Sequence, residues 1–393
     1  MPKALGYYVY LPAIFIYDDI KELKWFPEIE KEYQVTGGGE LYQLRRHENG
    51  NYVTKYLGGV SILQSPFFAI AHLYAKLSPS HKADGFSPPY QYAIALSTVF
   101  YGILALFILR FILLIWFDDL VTALTLLLLT LASNLIQYIS VDGALSHGYI
   151  FLWYVLVLYT TIQWHRSPHW KWAALTGLII GLSTISRPTE AIMLFIPLLW
   201  NTHTPEASRL KWKLVKSHQN HVVWAIGFGF IGILPQLLYW KFTTDSFVFN
   251  VGSKWNFLSP WWRVLFGWEK GWFIYTPITI FFILGFWHIK KFPFKNSVLT
   301  FCLLNIYIII SWSDWRYGGT FSCRALVQGY PLFALALAAF IQYIQTKKWR
   351  YIMYVLWGYL LVVNLFQIGQ YNKTIIHYDH MNFAYYKQVY LNP

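Results

Sequence analysis

The chain alternates long apolar runs with short polar segments. One run, residues 90–115, exceeds the roughly 20 residues that an α-helix needs to cross a bilayer. Ten apolar segments are separated in this way, and each is predicted to span the membrane, although several are short for a straight crossing. The predicted spans are approximately 90–115, 120–138, 147–164, 172–186, 188–200, 222–241, 274–288, 297–312, 326–343 and 350–370. The pattern predicts an all-α polytopic membrane protein with about ten transmembrane helices.

Four of the short polar loops are basic, and basic loops accumulate on the cytoplasmic side of membrane proteins. The loops predicted to be cytoplasmic are 165–171, 201–221, 290–295 and 346–350. Each span reverses the side of the chain, so the other connections are predicted to lie outside, on the outer or periplasmic face of a plasma (inner) membrane. These outer segments are 140–147, 186–190, 242–273, 312–325 and a C-terminal tail, 371–393.

Two apolar stretches near the start do not fit as spans. Residues 59–77 are apolar enough to cross, but a crossing there conflicts with the sides assigned to segment 18–58 and to the basic loops. Residues 6–17 are too short to cross and are rich in tyrosine, which favours membrane–water interfaces. Both are therefore predicted to be interfacial helices in a large outer loop, residues 1–89, that precedes a transmembrane domain at 90–370.

Composition supports the membrane interpretation. The chain has 56% hydrophobic, 20% aromatic and only 12% charged residues, against roughly 25% charged residues in soluble domains. The net charge of +13 does not indicate nucleic-acid binding, because the basic residues lie in short loops between apolar segments. Cys302 and Cys323 are expected at different depths, so no disulfide is predicted between them.

The outer segment 312–325, WSDWRYGGTFSCRA, places fixed charges between two very apolar stretches. Ionisable groups close to hydrocarbon usually pair with one another or line a water-filled cavity. Arginine offers a planar fork of donors that matches phosphate oxygens, so Arg187, Arg316 and Arg324 are candidates for binding a lipid phosphate. Alternatively, each arginine reaches the headgroups or pairs with a nearby carboxylate as a topological anchor. The supporting residues available for such pairing are Glu190 and Asp314.

Four more polar residues of the predicted outer face are candidates for chemistry. Asp142 and Glu269 are candidates for a catalytic base, but a sequence alone does not supply the geometry of a proton transfer. His147 follows Asp142 by five residues and is a supporting candidate; a polar cap at a helix start is favoured over a metal-ligand role for it. Lys270 is a further candidate for binding phosphate, and an interfacial ion pair with Glu269 is the alternative.

Motifs for other chemistry do not occur in the sequence. We find no metal-ligand cluster, P-loop, dinucleotide fingerprint or nucleophile elbow at the spacing that such chemistry requires. Soluble nucleotide cofactors are therefore not indicated, and a divalent metal has no support in the sequence. An enzyme of this kind would act on a substrate that the membrane delivers.

Three features resemble the GT-C class of integral membrane glycosyltransferases, which includes protein mannosyltransferases and the aminoarabinose transferases of bacterial lipid A. The outer loop with two apolar stretches resembles the large first outer loop of that class. GLIIGLSTISRPTEAIMLFIPLL (177–199) resembles its paired short helices with an arginine-proline corner. KGWFIYTPI (270–278) and SWSDWRYGGTFSCRALVQGYP (311–331) resemble segments of uncharacterised bacterial membrane proteins that are grouped near these transferases.

The resemblance implies transfer of a sugar from a polyprenyl phosphate to a glycan, lipid or protein acceptor. In that class an outer-loop carboxylate serves as base and basic residues bind the phosphate. The class also has a first transmembrane helix followed by its principal acidic residue, and the start MPKALGYY has neither. We therefore expect that the sequence begins downstream of the true start or belongs to a truncated relative. Asp18 and Asp19 follow the first interfacial stretch and are not assigned as the missing base.

Three functions fit these observations. The leading hypothesis is transfer of a hexose or pentose from a polyprenyl-phosphate donor at the outer face. The alternatives are a transporter or flippase of a lipid-linked sugar and a non-catalytic, truncated GT-C relative. Transporters usually carry polar or helix-breaking residues near mid-span or repeated halves. Here the charges lie at the outer ends of the predicted spans, and no such repeat is visible.

Overall fold

A computed structural model describes residues 4–37 and 41–392. The fold is mostly helical, with 65% of the chain in helices. The helices before residue 115 are α1 Leu5–Tyr8, α2 Tyr10–Phe15, α3 Phe26–Tyr33, α4 Gly59–Leu77 and α5 Pro88–Leu113. The next are α6 Asp119–Leu131, a π-helix Gln137–Val141, α7 Ser146–Arg166, α8 Trp170–Thr184, a 3₁₀-helix Pro188–Leu194, α9 Phe195–Leu199, α10 Pro205–Ser217 and α11 Gln219–Thr244. The last are α12 Arg263–Phe266, α13 Trp272–Tyr275, α14 Thr279–Gly285, α15 Lys295–Ser311, α16 Arg324–Val327, α17 Tyr330–Gln345, α18 Arg350–Asn372 and α19 Phe383–Val389.

Three helices of the described residues, α5, α11 and α18, are long and apolar enough to cross a membrane. The other predicted spans also coincide with helical segments, but these helices do not meet both criteria. Shorter apolar helical segments occur at Asp119–Leu131, Pro188–Leu199, Lys295–Ser311 and Tyr330–Gln345. The structure thus bears out a mostly helical protein with candidate transmembrane helices.

Helices α7 and α17 form the centre of the core. Every residue from Tyr330 to Ile341 of α17 is buried, as is every residue from Ser146 to Val155 of α7. Helix α7 packs against α5 and α8, and α17 packs against α6 and α14. Helix α11 is different, because it exposes apolar side chains such as Ile226 and Phe230. Apolar residues all round a helix are typical of a segment that contacts lipid.

Glycines allow α8 and α11 to approach closely. A Cβ atom on Gly177 would lie 1.9 Å from the carbonyl oxygen of Ala225, and one on Gly181 would lie 2.3 Å from that of Gly229. Small residues that bring two backbones together are typical of contacts between membrane helices. A larger side chain at Gly177 would therefore force the two helices apart.

A buried lysine caps the C-terminal end of α9. Lys211, on α10, donates hydrogen bonds from Nζ to the carbonyl oxygens of Pro197, at 2.8 Å, and of Leu198. Carbonyl groups in the last turn of a helix lack partners within the helix, so this cation satisfies two of them. Burial lowers the pKa of Lys211 to about 8, because the ammonium group loses hydration.

The first 89 residues contain the two predicted apolar helical segments. Helices α1 and α2 cover most of the predicted stretch 6–17, and α4 has the predicted bounds, 59–77. Helix α4 buries Val60 and Phe68 and exposes Ile70 and Leu73. The exposed apolar side chains are compatible with a helix that lies against lipid.

A short hairpin between these helical segments was not predicted. Strand β1 Leu44–Arg46 pairs antiparallel with strand β2 Tyr52–Thr54, and Arg45 lies opposite Val53. Strands of three residues are too short to produce a recognisable alternation of apolar and polar positions. The hairpin contacts α11, because the hydroxyl of Tyr239 accepts a hydrogen bond from the backbone N–H of Thr54 at 3.0 Å.

Candidate anion-binding cavity

A cavity of about 150 Å³ lies where the N-terminal region meets the start of α7, the corner before the 3₁₀-helix and the loop before α16. Its lining comes from separate parts of the sequence and is rich in polar side chains. The lining residues are Tyr7, Tyr42, Tyr56, Leu145, Ser146, His147, Arg187, Gly318, Gly319 and Arg324.

Two arginines give the cavity its positive charge. Neither the Arg187 nor the Arg324 guanidinium lies within 4.0 Å of a carboxylate oxygen of any described residue. The buried Nε atom of Arg324 has no hydrogen-bond partner within residues 4–37 and 41–392. The charge of Glu190 acts on Arg187 from a greater distance, but neither guanidinium is in direct contact with a carboxylate, and such cations beside a cavity favour water or an anion there. The cavity is therefore suited to an anionic group.

The loop between α15 and α16 has an unusual backbone on the side of the cavity. Gly318 has a φ of 64°, in the left-handed region that glycine adopts without strain. A Cβ atom there would lie 3.9 Å from Nη2 of Arg324, so the turn passes close to the guanidinium. Tyr317 and Ser322 also have a φ of 55°. Backbone strain of this kind at non-glycine residues is frequent at binding sites.

Lys270 holds this loop from behind. Its Nζ atom donates hydrogen bonds to the carbonyl oxygens of Arg316, at 3.0 Å, and of Gly318, at 2.9 Å, and to Asp379 Oδ1 at 3.1 Å. Burial lowers the pKa of Lys270, and the hydrogen bond and charge of Asp379 oppose this shift. An ammonium group has three donors, and these contacts use all of them. Lys270 therefore stabilises the loop that lines the cavity, and none of its three donors is left to bind a ligand.

Two further contacts hold the same loop. The hydroxyl of Tyr138, in the π-helix, donates to the carbonyl oxygen of Phe321 at 2.8 Å, and the N–H of Phe321 lies 2.9 Å from the same hydroxyl. Thr276 Oγ1 donates to Ser322 Oγ at 2.8 Å. Buried polar contacts therefore fix the loop just before Arg324.

A hydrogen-bonded chain runs from the cavity into the core. His147 Nδ1 lies 2.9 Å from Gln328 Oε1, and Gln328 Nε2 donates to Glu190 Oε1. Glu190 also accepts hydrogen bonds from the hydroxyl of Tyr154 and, at 3.1 Å, from Thr189 Oγ1. The chain orients His147 at the start of α7, where the imidazole forms part of the cavity wall.

Three residues predicted from the sequence meet in the cavity wall, namely Arg187, Arg324 and His147. Glu190 lies behind the wall and reaches His147 through Gln328. The fold therefore brings together the arginine-proline corner, the start of α7 and the segment 312–325.

Arg316 lies outside the cavity lining. It is half-exposed, and its Nε atom is 3.9 Å from both Glu269 Oε2 and Asp379 Oδ1. Its guanidinium carbon lies 4.8 Å from the centre of the Trp315 ring. These contacts fit the alternative interpretation, in which an arginine pairs locally.

The predicted bases also lie outside the lining. Asp142 Oδ2 accepts a hydrogen bond from Gln137 Nε2 at 3.1 Å, and Glu269 approaches Arg316 as described. Asp314 is exposed, and its carbonyl oxygen accepts from the N–H of Tyr317 at 3.0 Å. No carboxylate of the described residues forms part of the cavity wall.

Several polar residues of the site were not found from the sequence. Tyr7 and Tyr56 lie in stretches rich in tyrosine, where an interfacial role is the simpler interpretation. Burial raises the pKa of Tyr56, so its hydroxyl stays protonated and able to donate. Gln328 was detectable in principle, because an amide inside the apolar run 326–343 requires a hydrogen-bond partner.

Neither a metal centre nor a relative identifies the site. Within residues 4–37 and 41–392, no three His, Cys, Asp or Glu side chains are grouped so that they could hold a metal ion. Cys302 and Cys323 are both buried and free. No protein-family model, curated protein sequence or solved structure matches the chain. The geometry of the cavity is therefore the basis for assigning a function.

Proposed function

We propose that the protein is a membrane glycosyltransferase that moves a sugar from a polyprenyl-phosphate donor to an acceptor hydroxyl. The observation that carries this proposal is the presence of Arg187 and Arg324 in one cavity, with no carboxylate oxygen of the described residues within 4.0 Å of either guanidinium. Two fixed cations attract an anion, and guanidinium groups bind phosphate oxygens in a bidentate manner. A phosphate on an isoprenoid chain would reach the cavity from the bilayer.

The proposal includes about ten transmembrane helices in the plasma (inner) membrane, with the cavity at its outer or periplasmic face. The basic loops support this orientation through the positive-inside rule. One of these loops contains α10, where Arg209, Lys213 and Lys216 are exposed. The large first loop with its apolar helices also agrees with the resemblance to the GT-C class.

In the proposed reaction the acceptor oxygen attacks the anomeric carbon of the sugar. The bond between that carbon and the phosphate oxygen breaks, and its electron pair stays on the oxygen. The phosphate therefore gains one negative charge as the reaction proceeds. Arg187 and Arg324 are fixed before the reaction, so they stabilise this charge more strongly in the transition state than in the bound donor.

The aromatic side chains of the cavity suit a sugar next to the phosphate. Tyr42 is half-exposed, and Tyr56 is partly buried in the same lining. Aromatic faces contact the apolar faces of sugar rings, and a phenol hydroxyl hydrogen-bonds the polar edge. Acceptor classes compatible with an open outer face are glycans, lipids and proteins.

The first test measures binding of farnesyl phosphate, a short isoprenyl phosphate, to the full chain in lipid nanodiscs. We expect the wild-type protein to bind farnesyl phosphate and to bind farnesol much more weakly. Arg187→Ala and Arg324→Ala should each weaken binding of farnesyl phosphate about 10- to 100-fold, since each removes charge-assisted hydrogen bonds. Arg316→Ala is the matched control, because Arg316 lies outside the lining, and it should bind like the wild type.

Sugar transfer is then measured with a panel of polyprenyl-phosphate-linked sugars and membrane extracts as acceptors. We expect Arg324→Ala to lose transfer while it remains folded and inserted. Unchanged turnover in Arg324→Ala would contradict the proposed site. Binding of farnesyl phosphate without transfer from any donor of the panel would contradict the enzyme and favour a carrier of lipid-linked sugars.

A further inference from the structure

His147 combines burial in the protein with access to the cavity. The residue is 1% exposed, lies in the first turn of α7 and forms part of the cavity wall. Its Nε2 atom makes no hydrogen bond to any described residue. This atom is nevertheless not completely buried. The remaining opening for this atom is therefore the cavity that the imidazole lines.

Glu190 and His147 contact opposite ends of the Gln328 amide. Glu190 accepts hydrogen bonds from the hydroxyls of Tyr154 and Thr189 and from the amide of Gln328. These contacts place a donor against each carboxyl oxygen of Glu190. In the structure the NH₂ group of Gln328 faces Glu190, and its Oε1 atom faces His147.

This orientation selects one tautomer of His147. An amide oxygen can only accept a hydrogen bond, so the Nδ1 atom that lies 2.9 Å from Gln328 Oε1 must carry the proton. In a neutral imidazole the other nitrogen then has a free lone pair. The free lone pair of Nε2 reaches a cavity that also contains two arginines.

We propose that His147 is the general base of the site and that Gln328 and Glu190 are positioning residues that fix its tautomer. This inference rests on the proposed glycosyl transfer. As the acceptor oxygen bonds to the anomeric carbon, its proton moves to Nε2 of His147. The phosphate leaves with the electron pair of the broken bond.

The charges of this step are balanced within the cavity. The imidazole gains one positive charge and the phosphate gains one negative charge. The charged groups around His147 are the cations Arg187 and Arg324 on the cavity side and Glu190 behind Gln328. The edge of the Tyr138 ring, 5.4 Å away between ring centres, covers another side of the imidazole. The base thus lies between the phosphate site and a buried carboxylate.

The first test determines which nitrogen of His147 carries the proton, and it does not depend on enzymatic turnover. Nitrogen-15 solid-state NMR is recorded on histidine-labelled full-length protein in lipid at neutral pH, and His147 is assigned by subtraction of a His147→Gln spectrum. We expect a protonated Nδ1 and a bare Nε2, whose resonance shifts when farnesyl phosphate binds. Gln328→Leu should change the tautomer ratio. A protonated Nε2 in the wild type would overturn the inference.

The second test separates binding from chemistry. His147→Gln should bind farnesyl phosphate within about twofold of the wild type, whereas sugar transfer should fall about 100-fold or more. Transfer by His147→Gln at the wild-type rate would overturn the role of His147 as base. The same conclusion would follow if sugar transfer fell only in proportion to a loss of farnesyl phosphate binding. Absence of transfer by the wild type itself would instead contradict the proposed function, so the two failures are distinguishable.

Discussion

Lys270 Nζ lies 2.9 Å from the carbonyl oxygen of Gly318, a residue of the cavity wall. The same ammonium group contacts the carbonyl oxygen of Arg316 and the carboxylate of Asp379. The lysine therefore connects the segment before α13 to the loop before α16 and to the C-terminal tail. Its charge stabilises the position of the loop, while the charge of Arg324 remains available in the cavity.

Lys270→Met tests this supporting role. The substitution leaves two carbonyl oxygens and a carboxylate without their buried donor, so we expect the free energy of unfolding to fall by about 2–4 kcal/mol. Binding of farnesyl phosphate should weaken only several-fold, because the loop is displaced and no ligand contact is removed. The measurements are thermal unfolding in detergent and the binding assay.

Lys373→Met is the matched control for Lys270→Met, because Lys373 is exposed and its side chain makes no hydrogen bond to the described residues. It should leave both quantities unchanged. A loss of binding as large as that of Arg324→Ala, with unchanged stability, would indicate that Lys270 binds the phosphate directly.

The contact between α8 and α11 leads to a prediction for two glycines. Gly177→Ala places a Cβ atom 1.9 Å from the carbonyl oxygen of Ala225, so the helices must separate. We expect a loss of stability of about 1–3 kcal/mol, as is usual for overpacking. Gly227→Ala, on α11, is the control, because nothing lies within 4 Å of its added Cβ atom. Equal melting temperatures for the two variants would contradict this tight contact.

Helix positions were predictable because long apolar runs and polar gaps are local properties of the sequence. Helix α4 has the predicted bounds, since Gly58 directly precedes it and the apolar run stops at Leu77. The hairpin of β1 and β2 was missed, because three-residue strands depend on pairing across the turn. The number of crossings stays a prediction, because most helical segments are shorter than a bilayer requires.

The site was predictable only in part, because side chains with similar chemistry have different partners in the fold. Arg187 and Arg324 were identified as site candidates, because ionisable groups close to hydrocarbon usually pair with one another or line a water-filled cavity. Arg316 and Lys270 were both candidates for binding phosphate. In the structure, however, Arg316 approaches Glu269, and Lys270 donates hydrogen bonds to backbone carbonyl oxygens. Such differences depend on long-range packing, which a single sequence does not contain.

Lys211 should make stability depend on pH. Its pKa is about 8 in the folded protein against an ordinary value of 10.5. Below pH 8 both states carry the proton, so the full cost of burying the ammonium group is present. Between pH 8 and 10.5 the folded state loses its proton first, so the unfolded state binds more protons and stability rises with pH. The rise should reach about 3 kcal/mol.

The measurement for Lys211 is thermal unfolding across this pH range, with Lys211→Met as the reference that lacks the titrating group. The wild type should gain stability relative to Lys211→Met as the pH rises from 8 to 10.5. A difference between the two proteins that is constant, or that falls with pH, would contradict the buried, desolvated lysine.

Tyr138 should control the rigidity of the loop that precedes Arg324. Tyr138→Phe removes the hydroxyl that contacts both the N–H and the carbonyl oxygen of Phe321, so two buried backbone groups lose their partner. We expect a loss of about 1–3 kcal/mol, faster hydrogen exchange of the amide of Phe321 and weaker binding of farnesyl phosphate. Tyr371→Phe is the control, because its ring lies 5.6 Å from the ring of Phe321 while its hydroxyl has no hydrogen bond among the described residues. If the amide of Phe321 exchanges hydrogen at the same rate in both variants, ring packing and not the Tyr138 hydroxyl stabilises the loop.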